Sequence, residues 1–150
     1  MEKSYIDNLS SSQKELLYKA KQAMSHAYNP YSWFYVWAAL LTSEGAIITW
    51  CNIENAAYWD SICAERVAVV SALKKWIRWV SCMAVIGWYG NETYNEIITP
   101  CGSCRQVLSE CVHLNKADIK LILSNECMNS ILLTSVNELL PISFSPNSLN

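Results

Sequence analysis

The sequence predicts an α/β fold: a three-layer α/β/α sandwich around a mixed five-stranded sheet. Three observations carry that expectation. Five apolar runs of strand length alternate with stretches of helical periodicity. Two of the runs are separated only by Thr42-Ser43-Glu44-Gly45, which reads as a β-hairpin. Hydrophobic residues make up 52% of the 150 and charged residues 16%, enough for a real core in a single domain over 1–150.

Each element has its own signal. Ser12-Gln13-Lys14-Glu15 has the form of a capping box, and Leu16, Ala20, Ala23 and Ala27 follow at helical spacing, so a helix is expected over 12–26. Asn29-Pro30 ends it. The hairpin strands are 34–41 and 46–51, and 52–62 reads as a loop. A second helix over 63–75 is apolar on most sides and therefore expected to be buried. A strand at 80–87 precedes a polar loop at 91–99. Pro100 suits the first turn of a helix running to about residue 111. Short strands at 119–124 and 131–134 and a short helix at 135–140, stopped by Pro141, complete the chain.

Composition excludes several classes of function. The net charge is −2, and the 11 Lys and Arg form no cluster that could follow a phosphate backbone, so nucleic acid is not the expected partner. The first 30 residues lack the apolar core of a signal peptide, and the run 34–41 is too short to span a membrane. Seven cysteines without an export signal point to reduced thiols and metal binding rather than disulfides, hence to the cytoplasm.

Two short stretches carry the chemistry: Cys63-Ala64-Glu65 and Pro100-Cys101-Gly102-Ser103-Cys104. Both fall at expected helix starts, where free amides and the helix dipole favour thiolate. Cys63, Cys101 and Cys104 are the candidate ligands of one Zn²⁺, and a structural zinc site would want a fourth protein ligand. Its place is open and Glu65 stands beside it, a general acid–base for a water at the cation. Arg66, one turn after Cys63, is expected to donate hydrogen bonds to the thiolates and offset their charge. Taken alone, the Cys-x-x-Cys is equally a redox pair or half a structural zinc knuckle, and Cys63 an ordinary buried thiol. The joint pattern is far more specific. Cys51, Cys82, Cys111 and Cys127 read as structural, and neither His26 nor His113 has a partner at metal-binding spacing.

A Cys or His two residues before a Glu, followed by Pro-Cys-x-x-Cys, is the pattern of the zinc-dependent nucleobase deaminases. Over 27–149 the chain resembles the small, homotetrameric cytidine deaminases. Ala27-Tyr28-Asn29-Pro30-Tyr31-Ser32 matches the family's opening motif, and Asn52-Ile53-Glu54-Asn55-Ala56-Ala57-Tyr58 its nucleoside loop. Cys63-Ala64-Glu65-Arg66 and Pro100-Cys101-Gly102-Ser103-Cys104-Arg105-Gln106 match the zinc motifs, and Leu139-Leu140-Pro141 with Phe144 the tail. The resemblance implies one zinc per subunit and deamination of free cytidine and deoxycytidine. It implies that Asn52 and Glu54 bind the sugar hydroxyl and that Phe34 lines the base pocket. The amide of Ala64 would bind the base carbonyl, and the carbonyl of Thr99 the amine. Phe144 and Tyr58 would reach a neighbouring subunit, so a homotetramer with shared active sites is implied. The alternatives are a deaminase of another aminopyrimidine nucleoside, such as blasticidin S, and a zinc-stabilised scaffold without turnover.

The tryptophans depart from that pattern. Trp37, Trp50 and Trp59 stand where the family usually has glycine, and glycine would also suit positions 33, 76, 79 and 88. The chain has 4 Gly and 7 Trp; counted together they reach the usual glycine share of about 7%. This pattern is expected if a codon written as tryptophan is read as glycine in the source cell; the alternative is seven true tryptophans that fill pockets and interfaces.

Overall fold

The computed structural model describes residues 1–90 and 96–149. Ten elements follow in order: β1 (Glu2–Ser4), α1 (Ser11–Gln22), β2 (Phe34–Thr42), β3 (Ile47–Cys51), α2 (Ala64–Lys74), β4 (Val80–Tyr89), α3 (Gly102–Asn115), β5 (Lys120–Asn125), β6 (Ile131–Ser135) and α4 (Val136–Leu139). The sheet order is β1-β6-β5-β4-β2-β3. Only β4 and β5 pair in parallel, joined by the α3 crossover; the other neighbours are antiparallel.

The sheet is mixed, as expected, but has six strands rather than five. The extra strand is β1, three residues at the amino end that pair with β6. Three residues are too few to show an alternating pattern, so no sequence signal marked it.

Alternation along β2 sorts the core into two layers. Ala38 and Leu40 pack with Ala68 and Ala72 of α2, Leu108 of α3 and Val136 of α4. Trp37 and Ala39 pack on the opposite face with Leu16, Leu17 and Ala20 of α1. The helices therefore cover both faces of the sheet. Strands β4 and β5 sit at the centre, and their near-continuous apolar runs are buried on both sides.

Several boundaries differ from expectation. α1 is capped by Ser10 and Gln13, not by Ser12 and Glu15. The Gln13 amide donates to Ser10 Oγ at 3.3 Å, and the Ser10 amide to Gln13 Oε1 at 2.9 Å. Both tetrads fit the box; buried Leu9 anchors the chain just before the earlier one. The α1 pattern ends at Gln22, and 3-10 turns continue to His26. α3 begins at Gly102 with Cys101 as its N-cap, so Pro100 precedes the helix instead of opening it, and α3 runs on to Asn115. Of the loop expected at 91–99, residues 91–95 lie outside the described residues.

Candidate active site

The two zinc motifs meet because α2 and α3 lie side by side on one face of the sheet, with their amino ends together. Cys63 is the N-cap of α2 and Cys101 the N-cap of α3, both with extended backbone and neither using its side chain to cap. Cys104 lies one turn into α3 and is fully buried. The sulfurs of Cys63, Cys101 and Cys104 lie within 4.8 Å of one another, and Cys101 Sγ is 3.5 Å from Cys104 Sγ. Two sulfurs each ~2.3 Å from a tetrahedral zinc stand about 3.8 Å apart. The trio therefore fits one zinc ion per chain, and among the described residues the cluster holds no fourth protein ligand.

Electrostatics agree with that role. The Cys63 thiol is lowered to about 7, first by its hydrogen bond with Cys104, against burial and the Glu65 charge, with help from Cys101 and from the nearby positive Arg66. Cys104 is pushed up, chiefly because it holds the proton in its bond with Cys63. Arg66 is half-buried and acts on Cys63 by charge; no hydrogen bond joins it to a thiol among the described residues. Glu65 is 4% exposed. Burial raises its carboxyl above the usual carboxylate range, opposed by hydrogen bonds from its own amide and from Cys104. A raised carboxyl holds a proton more readily than an ordinary carboxylate, as proton transfer requires.

Beside the cluster is a cavity of about 230 Å³ lined by Phe34, Asn52, Glu54, Glu65, Thr99 and Cys101, among others. A larger cleft of about 470 Å³ is lined by Lys19, His26, Trp50 and Cys51 and by none of Cys63, Cys101 and Cys104; volume alone does not mark the site. Ala64 is buried at the first position of α2, where helix amides lack an intrahelical partner. Phe34 stacks at 4.6 Å, tilted, against Tyr89. Tyr58 and Phe144 are exposed and do not line their own chain's cavity.

Two of the expected sugar ligands are engaged by the chain itself. Asn52 Oδ1 accepts from the Val36 amide at 3.0 Å, and its Nδ2 donates to the Phe34 carbonyl at 2.8 Å, so Asn52 holds the β2 edge. Glu54 accepts from the Tyr31 and Ser32 amides at 2.9 and 3.2 Å and from the Ser32 hydroxyl. Burial alone would raise its carboxyl, but these bonds outweigh it and hold the group low and ionised.

Two residues gave no role in the sequence reading. Arg105 Nε donates to the Pro100 carbonyl at 2.8 Å and its Nη1 to the Leu139 carbonyl at 3.1 Å. Gln106 Nε2 donates to the Phe144 carbonyl at 2.8 Å. Together they tie the tail to the helix that carries Cys104. Their place directly after the Cys-x-x-Cys was the only available signal.

Fold and site together define a zinc-binding deaminase. Residues 10–117 match the model of the cytidine and deoxycytidylate deaminase zinc-binding region, and the chain belongs to that family. A cytidine deaminase of Halalkalibacterium halodurans is 42% identical over 135 residues, 90% of this chain and 96% of the relative. The crystal structure of a cytidine deaminase from Burkholderia pseudomallei superposes with a TM-score of 0.77 at 39% identity, covering 91% of this chain and 100% of that one. A blasticidin-S deaminase of Bacillus cereus is 28% identical over 147 residues, 93% of this chain and 97% of that relative.

Proposed function

We propose that this chain deaminates free cytidine and deoxycytidine to uridine and deoxyuridine, as one continuous domain over residues 1–150. The observation that carries the reading is the open thiol trio beside a buried glutamate of raised pKa. A bound zinc ion supplies Lewis acidity that makes water nucleophilic at neutral pH. Glu65 moves the proton. It takes one from the attacking water, hands it to the ring nitrogen next to C4, then transfers one to the amine leaving C4. Ammonia departs and a carbonyl oxygen replaces it. Phe34 lines the base site, the Ala64 amide donates to the base carbonyl, and the Thr99 carbonyl holds the amine. Ionised Glu54 receives the sugar hydroxyl. Asn52 lines the cavity and contributes through the β2 edge it fixes. Arg66 offsets the charge of the thiolates.

We also propose a homotetramer with shared active sites, acting in the cytoplasm. Tyr58, Ile142 and Phe144 are large apolar side chains left exposed in the isolated chain, surface that a neighbouring subunit would cover. No helix among the described residues is long and apolar enough to cross a membrane. The zinc-loaded protein is expected to release ammonia from cytidine with loss of the cytosine absorbance, and to leave blasticidin S largely untouched. Faster turnover of blasticidin S would favour the second reading, which the Bacillus cereus relative keeps in view.

A further inference from the structure

We infer that the positions written as Trp33, Trp37, Trp50, Trp59, Trp76, Trp79 and Trp88 are glycine in the protein as its own cell makes it. Position 76 argues this most directly. α2 ends at Lys74 with Lys75 as C-cap. The next amide, of residue 76, donates to the Leu73 carbonyl at 3.0 Å, and that of Ile77 to the Ala72 carbonyl at 3.0 Å. This is the paired-bond helix stop whose central residue is left-handed and usually glycine. Residue 76 has φ 61° there, and it is Trp. Its indole is 79% exposed. Its one notable contact is Arg78 over the ring at 4.9 Å, which requires nothing of the backbone.

Position 33 repeats the pattern. Trp33 has φ 58° and is 61% exposed, in the turn that leads Ser32 into β2. Among the described residues only four non-glycine positions have positive φ: 33, 76, 116 and 128. Two of the four are Trp, although Trp fills 7 of 150 positions. A bulky aromatic is a poor occupant of that region, and glycine is its ordinary one.

The remaining five fit the same account. Trp50, Trp59 and Trp79 are exposed, unusual for the largest apolar side chain. Trp37 is fully buried in a strand facing α1, and its Nε1 has no hydrogen-bond partner. A buried indole normally finds one. It stacks on Trp88 at 6.5 Å, and both touch Tyr35. Position 37 and position 88 thus form one aromatic plug between sheet and α1; glycine at both would let α1 settle closer to β2 and β4. Trp37 lies on the sheet face opposite the thiols, so the exchange leaves the metal cluster untouched. The chemical class of the change is a codon assignment: one codon written here as tryptophan and read as glycine by the cell's own translation.

The test is intact mass and peptide sequencing of the protein purified from the cell that carries the gene. The expected result is a mass lower by seven tryptophan-to-glycine differences, with glycine at 33 and 76. Tryptophan at those two positions overturns the inference. A recombinant comparison supplies a second reading. The double variant Trp33→Gly/Trp76→Gly is expected to melt above the tryptophan chain, because it removes two bulky side chains from left-handed backbone. A lower melting temperature would count against the inference.

Discussion

Glu65 stands at the first turn of α2 beside Cys63 and out of water, the place its proposed role as proton carrier requires. Replacing it with glutamine keeps the shape and removes the proposed carrier. Glu65→Gln is expected to retain fold and zinc while turnover falls by about 10²–10⁴-fold, as for loss of a general acid–base; steady-state kinetics on zinc-quantified protein checks it. Cys101→Ala is expected to lose stoichiometric zinc and to melt lower, which metal analysis and a thermal melt read together. The thiols and Glu65 were legible because their spacing carries the chemistry. Asn52 was legible as a polar loop residue, but not as the side chain that closes the β2 edge, since Val36 and Phe34 are backbone partners that leave no trace in composition. Asn52→Ala is expected to cost about 1 kcal/mol, the penalty for leaving those half-buried backbone groups unpaired, and to raise KM as Phe34 shifts. Unchanged melting would contradict its positioning role.

At the scale of elements, helices and their approximate starts were legible, and the residues that cap α1 were not. Ser10-Ser11-Ser12-Gln13-Lys14-Glu15 offers two overlapping boxes, and tertiary burial of Leu9 favours the first. Ser10→Ala is therefore expected to lose about 1 kcal/mol of stability, and Ser12→Ala far less; paired denaturant melts decide. The last element to gain a role is the tail. Gln106 and Arg105 fasten it to α3, and the carbonyl held by Gln106 belongs to Phe144. Gln106→Ala is expected to raise KM for cytidine several-fold while zinc content and kcat stay near the parent values. A fall in zinc content instead would mean that Gln106 supports the thiols rather than the tail. No local pattern foretold this clamp, because it joins residues 38 apart.

Across the whole molecule, alternation along β2 and the apolar runs of β4 and β5 made the layered sheet legible, while β1 was too short to read. What the lone chain leaves exposed argues for its assembly. Tyr58 and Phe144 sit outside their own cavity, so specific activity is expected to fall as the proposed tetramer is diluted apart, with light scattering following the mass. The central claim is narrower: three sulfurs hold the cation and the buried carboxylate moves the proton. It is tested most directly by ammonia release from cytidine, comparing zinc-matched parent with Glu65→Gln. The account predicts equal zinc, one ion per chain, and release by the variant slower by about 10²-fold or more; comparable release by the variant would contradict it.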